Sequence, residues 1–324
     1  MRDISPESPE ERRKHPHAPA VAPGWRHYVG PGSPAFEIAR RTFVGVYNEG
    51  FIHAGNLAYL TLLTLFPFFI VIAAITQLIG KTEENMAAVA ALVAALPPTV
   101  ATLVEATARE VLTARTGPFL WFGALVGLWT VSSFIETIRE ILRRAYGTDY
   151  TRPFWQNRLI GVAIVFASVA LLMTAFSAQI LLTAGEELLL RFVPAADRAA
   201  NWLGSTRFIP VIATFIAIFL MLWTLTPTQY RGWAYPKWPG AAFATAWWYG
   251  ALTLLPRAIE ALGGYALTYG GLAGVMIALL FFWLVGYGLV IGAHLNAALA
   301  DTGKIGLKGS KQRDDMMEAT WLDT

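Results

Sequence analysis

From Ala261 to Ala300 the chain carries no Asp, Glu, Lys or Arg, and from Leu272 to Gly292 it is continuously apolar, with glycines recurring at helical spacing. A helix needs about 20 apolar residues to cross the hydrocarbon core of a bilayer, so the sequence predicts a span over Leu272–Leu299. Five more apolar segments are long enough to predict spans: Asn56–Ile79, Phe119–Leu142, Leu159–Thr183, Phe208–Thr226 and Pro239–Leu255. The last of these is the shortest and the richest in Trp. None alternates apolar and polar residues at period 2 as a barrel strand does, which leaves the helix as the element that satisfies its own backbone in lipid. The expected fold class is all-α: a polytopic membrane protein of six transmembrane helices with amphipathic interfacial helices.

Outside these runs the pattern changes. Pro34–Gly55 mixes apolar residues with Glu37, Arg40, Arg41 and Glu49, which predicts an amphipathic helix lying at a membrane surface. Glu84–Arg115 is rich in Ala and Val and is broken at Pro97-Pro98. With Glu105, Arg109 and Glu110 in its second half, it predicts two amphipathic helices and not a seventh span. Residues 1–34 are rich in Pro and charge and lack an apolar stretch, so a disordered tail is expected there and not a cleavable leader. Asp301–Thr324, dominated by Gly, Lys and Asp, reads as a second solvated tail, which leaves 35–300 as the membrane domain.

Composition supports this division. The chain is 55% hydrophobic and 15% charged, against roughly 25% charged in soluble domains. Its 12 Trp and 11 Tyr suit interfacial aromatic belts. With no cysteine, disulfides, thiolate metal sites and Cys nucleophiles are excluded. With six spans both tails share one side, and Lys and Arg concentrate in the tails, between Arg143 and Arg158, and in the loop holding Arg231 and Lys237. The positive-inside rule places that side in the cytoplasm, and the topology accounts for the net charge of +3 without a nucleic-acid partner.

Polar residues inside apolar segments are the candidates for function. Near the end of the second span Ser132, Glu136, Arg139 and Arg143 fall on one helical stripe, with Ser133, Glu140 and Arg144 beside it. Ionisable groups in a membrane helix are costly and are functional candidates by default: Glu136 would titrate and Arg139 would hold an anion. The plainer reading, favoured by the interfacial position, is a ladder of i,i+3 and i,i+4 ion pairs. In the first span Asn56, Tyr59 and Pro67 share a face, with Thr64 at its edge. Pro67 removes a helical hydrogen bond and predicts a kink that opens a carbonyl toward a cavity. Interhelical hydrogen bonding and packing is the plainer account. Gly123 and Gly127, Gly270 and Gly274, and Gly288 and Gly292 form small-residue pairs, and Asn296 extends the last stripe; close helix contact is their ordinary role. His294 lies on another face with Tyr287 and Ile291, as a pH-sensitive site or, more plainly, a structural imidazole.

Hydrolytic chemistry has little to build on. Metal-assisted phosphodiester cleavage needs clustered His, Asp or Glu. His15, His17, His27, His53 and His294 are scattered and form no H-x-H-x-D or H-E-x-x-H pattern. P-loop and G-x-S-x-G motifs are absent, and Arg152-Pro153-Phe154-Trp155 reads as an interfacial anchor. The expectation is no enzyme activity, no cofactor, no metal and no nucleic-acid partner.

Four blocks come in an order and spacing that resembles the YihY/virulence factor BrkB family. They are Asn56-Leu57-Ala58-Tyr59-Leu60-Thr61-Leu62-Leu63-Thr64-Leu65-Phe66-Pro67, then Pro239-Gly240-Ala241-Ala242, then Tyr265 to Leu272 with Tyr269 inside it, and Gly292-Ala293-His294-Leu295-Asn296-Ala297. Leu128-Trp129 through Arg144-Ala145-Tyr146-Gly147 fits as well, and the resemblance runs from about Pro34 to Leu299. It implies a six-span inner-membrane protein, of a family whose members have been labelled ribonuclease BN, linked to serum resistance, or connected with lipid or envelope-precursor transport. Two positions depart from the pattern: His294 stands where the closing motif usually has an acid, and Asn56 where the first span usually opens on a small residue.

The function expected from this resemblance is transport or flipping of a lipid or lipid-linked envelope precursor. Membrane lipids are its partners, with a second copy of the chain or envelope proteins as further ones. Asn56, Tyr59, Thr64, Pro67, Glu136, Arg139, Glu140, Tyr269 and His294 are the substrate or coupling candidates. A non-transporting scaffold for envelope assembly is the alternative, and a membrane-associated ribonuclease the disfavoured third reading. A polar cavity lined by Asn56, Glu136 and Arg139 favours transport; a dry bundle favours the scaffold.

Overall fold

A computed structural model of the protein describes residues 8–14, 33–79, 96–114, 118–149, 153, 155–167, 209–261 and 270–300. Among them there is no strand. The helices are α1 (Pro9–Lys14), α2 (Pro34–Ile79), α3 (Pro98–Ala114), α4 (Pro118–Tyr146), α5 (Ile209–Leu225), α6 (Trp238–Ala261) and α7 (Ala273–Leu299). A further helical segment occupies 155–167, and single 3-10 turns lie at Thr228–Tyr230 and Gly270–Leu272.

Local sequence explains several helix ends. Ser33 Oγ accepts the Phe36 amide at 3.1 Å ahead of Pro34, and Ser8 Oγ accepts the Glu11 amide at 3.4 Å ahead of Pro9. A serine cap followed by proline satisfies an orphan amide and presets φ for the first turn. Pro98 and Pro118 take the same first position in α3 and α4. The far end of α4 stops at Gly147, whose φ is +73°. There the Gly147 amide donates to the Arg144 carbonyl and the Thr148 amide to the Arg143 carbonyl, both at 3.0 Å; this pair of bonds closes a helix on a left-handed glycine.

α2 and α7 form the spine. They run antiparallel: Gly286 meets Ala54 and Leu57, whereas His294, two turns on, lies against Gly45. α4 packs on α2, α6 on α7, α5 on α6, and α3 on both α2 and α7. One buried apolar core joins α2, α3, α6 and α7 around Phe69, Val104, Leu255, Ala278 and Phe281. A second joins α2, α4, α5, α6 and α7 around Leu57, Leu142, Leu222, Ala241 and Val290.

α2, α4 and α7 are long and apolar enough to cross a membrane, and α5 is a shorter apolar helix. Pro34–Gly55 is not the separate surface helix that its charges predict. It continues into the first span as one helix of 46 residues, because Val46, Ala54, Leu57 and Ala58 form a single buried stripe through the junction. α6 has the length of a span, but Gly, Ala, Trp, Tyr and Thr dominate it in place of Leu, Ile and Val, and it is not among the helices apolar enough. Of the predicted Leu159–Thr183 span only the part up to residue 167 is described, as helix; Glu84–Ala95 and Asp301–Thr324 lie outside the described residues. Residues 9–14, expected within a disordered tail, are helical, and Ser8 is fully buried. The docked contact described below supplies the burial that this polar segment lacks by itself.

Candidate functional site: a charged cleft at one end of the bundle

The last turns of α4 bury Ile138, Ile141, Leu142 and Ala145 in the core. That orientation leaves the charged residues half-buried along the helix edge, where they pair. Arg139 Nη1 donates to Glu136 Oε2 at 2.6 Å and to the Asn157 carbonyl at 3.5 Å. Arg143 donates to both Glu140 oxygens, at 2.7 and 2.5 Å, and to the Thr148 carbonyl at 2.8 Å. Arg144 Nε donates to Glu140 at 2.8 Å. The i,i+3/i,i+4 ladder is thus formed, and cations in the last turn also suit the helix dipole.

The facing wall is the loop from α5 to α6. Arg231 reaches back to donate to the Thr224 and Thr226 carbonyls. Lys237, only 3% exposed, donates through Nζ to the carbonyls of Tyr230, Gly232 (3.1 Å) and Tyr235 (2.6 Å). Burial, and then the charge of Arg231, push the Lys237 pKa down from 10.5 to about 8. Tyr230 packs on Tyr146 with ring centroids 4.9 Å apart, and its hydroxyl donates to Glu10 Oε1 at 2.6 Å. This bond seats α1 on the end of the bundle, where Ser8 fills the space beside Gly147.

Between the two walls lies a half-open cleft of about 100 Å³, lined by Glu136, Arg139, Glu140, Arg143, Asp149 and Asn157 on one side and Thr226 to Gln229 with Arg231 on the other. Three guanidinium groups face three carboxylates, so the lining carries both signs. A headgroup with phosphate can compete with the carboxylates for the arginine forks, which match phosphate geometry. At the exposed edge of α4, the Arg158 guanidinium stacks 3.9 Å above the half-exposed Trp129 ring.

The structure brings Glu136, Arg139 and Glu140 together but not the rest of the predicted set. Asn56 is exposed and Tyr59 is 59% exposed, on the side of α2 turned away from the bundle; a cavity shared by Asn56, Glu136 and Arg139 does not form, because α7 packs on the opposite stripe of α2. Thr64 is buried and donates to the Thr61 carbonyl at 3.1 Å. Pro67 turns its carbonyl toward α4, where a Cβ on Gly127 would stand 2.8 Å from it. Gly123 is half-buried. Gly288 lies under Trp247, Gly292 meets the Gly240 carbonyl, and Asn296 bonds across to α6. Gly270 and Gly274, expected to pack, face open space: a Cβ on either would touch nothing within 4 Å, since α6 and α2 meet α7 only further along. Tyr269 lies outside the described residues. His294 is buried against Glu49 and His53 of α2. Sequence reasoning passed over that pair, although the i,i+4 spacing of Glu49 and His53 signals a shared face. It also passed over the Arg231–Lys237 loop as a cleft wall, which no local pattern announces.

Among the described residues no three of His, Asp or Glu are placed to hold a metal ion. Residues 47–316 match the family model described as Virulence factor BrkB. The chain is 28% identical over 261 residues to the putative ribonuclease-like protein YfkH of Bacillus subtilis (strain 168), covering 80% of this chain and 93% of that one. No solved structure matches.

Proposed function

The chain belongs to the virulence factor BrkB family, and on that premise we propose that it moves an amphiphilic envelope molecule, a lipid or lipid-linked precursor, across the bacterial inner membrane. The observation that carries this reading is the two-signed cleft at the end of the bundle, open to one side and lined by Arg139, Arg143 and Arg231 with Glu136, Glu140 and Asp149. A phosphate-bearing headgroup engages the arginines there while its acyl chains lie along the exposed apolar faces of α4, at Leu125, Val126 and Trp129. The topology we propose with it has six spans and both termini in the cytoplasm. The cleft then opens on the cytoplasmic side, in keeping with the basic residues around it. Catalysis is not part of the proposal.

The test is reconstitution into liposomes with fluorescent phospholipids or lipid-linked sugars. Movement between leaflets is expected, and Arg143→Ala should slow it about tenfold, the cost of one charge-assisted hydrogen bond. A folded, reconstituted protein that moves no lipid would sink the transport reading and leave the scaffold. Metal-dependent RNA cleavage by the purified protein would contradict the non-enzymatic part.

A further inference from the structure

Glu49 and His53 stand one turn apart on α2 and meet His294 across the interface with α7. His53 Nε2 lies 3.7 Å, and His294 Nε2 4.0 Å, from the same atom, Glu49 Oε2. Both Glu49 Oε2 and His294 Nε2 are buried without a hydrogen-bond partner. Burial is graded, with the Glu49 and His53 side chains 13% and 11% exposed and His294 4%. Gly45 makes the room, since a Cβ there would overlap the His294 ring.

With no donor within hydrogen-bond length of Glu49 Oε2, a bare carboxylate here is a buried charge left uncompensated, an expensive arrangement. One proton resolves it. Either a carboxyl O–H donates to an imidazole nitrogen, or an imidazolium N–H donates to the carboxylate. At 3.7 and 4.0 Å the atoms stand just beyond hydrogen-bond length, close enough for a side-chain rotation to complete the bond. No other described charge competes for the position. α4 and α6 bring Ile141, Leu142, Ala145 and Ala241 to this end of the core. Glu136, Arg139, Glu140 and Arg143 of α4 line the cleft, Arg144 pairs with Glu140, Arg40 and Arg41 of α2 pair with Glu37, and Lys237 turns into its loop carbonyls. Tyr287, two helical turns away on α7, stacks on Trp283. α5 holds no ionisable residue, and Glu105 of α3 belongs to the helix packed at the other core.

We propose that Glu49, His53 and His294 form a buried proton-binding site, filled from its less deeply buried edge at Glu49 and His53 and shared with His294 across the α2–α7 interface. In the transporter proposed above it is the site of the coupling ion; that role rests on the transport reading, whereas the proton site itself does not.

Nitrogen-15 NMR of labelled histidine, on the full chain in lipid nanodiscs, tests it. The His53 and His294 signals should change protonation together as pH falls. Glu49→Gln removes the shared carboxylate and should break this joint behaviour, so that the two signals no longer change together. Should Glu49→Gln fail to assemble, His294→Gln read through the His53 signal serves in its place, with a displaced transition expected. Imidazole signals that titrate independently and ignore both substitutions overturn the proposal. In liposomes, the pH dependence of lipid movement should flatten in Glu49→Gln. If the titration is coupled and no lipid moves, the transport reading falls and the proton site stands; if the titration is uncoupled, the site falls whatever the lipids do.

Discussion

At Gly240 two helices come so close that their backbones touch. The Gly240 amide donates to Asn296 Oδ1 at 2.8 Å, Asn296 Nδ2 donates to the Lys237 carbonyl at 3.0 Å, and a Cβ on Gly292 would lie 2.6 Å from the Gly240 carbonyl. Asn296→Ala orphans the buried Gly240 amide, while the Lys237 carbonyl keeps the Ala241 amide at 3.2 Å, and should cost about 2 kcal/mol in thermal unfolding followed by Trp fluorescence. Gly274→Ala makes the informative contrast: it meets no atom and should gain about 0.5–1 kcal/mol by relieving a helical glycine. Lys237 adds a pH signature. Its pKa is near 8 when folded against 10.5 in its ordinary state, so between those values the unfolded chain binds more protons, and stability should rise with pH across that window. Lys237→Met should abolish this slope; an unchanged slope would show that the ammonium is not confined as described.

The helices differ in how much of their role the sequence could express. The ion-pair ladder of α4 was legible because i,i+3 and i,i+4 geometry is local. Its consequence is testable: Glu140→Gln removes the carboxylate that Arg143 and Arg144 share and should cost about 1 kcal/mol, since the group is half-buried and screened. Gly288, Gly292 and Asn296 were legible as a contact stripe for the same local reason. The facing of α2 was not. Asn56, Tyr59 and Pro67 do share a helical face, but which face is buried depends on where α7 and α4 lie, and those partners are remote in sequence. The same remoteness hid the wall at Arg231 and Lys237, whose side chains are held by backbone carbonyls and leave no side-chain pattern to read. The boundary at Gly55 misled because charge pattern alone set it, while the buried stripe of small and aliphatic residues runs straight through.

Across the molecule the polar features gather at one end: the start of α2, the end of α4, the loop before α6 and the end of α7. That polarity yields a topology prediction suited to a chain without cysteine. A single Cys at Trp233, which is 98% exposed, should react with a membrane-impermeant maleimide from the cytoplasmic side only, as should one placed ahead of α1; opposite sides would break the proposed arrangement. The seating of α1 also has a consequence in time. Glu10 and Tyr230 are 220 positions apart, and a helix of six residues does not persist alone in water. The ribosome releases this segment well before Tyr230, and its seat is complete only once that residue has emerged. Nascent chains arrested before that residue should lose the Arg12-Arg13-Lys14 segment to trypsin, whereas chains arrested beyond Ala261 should protect it. The α1 segment thus records when synthesis has passed the loop before α6.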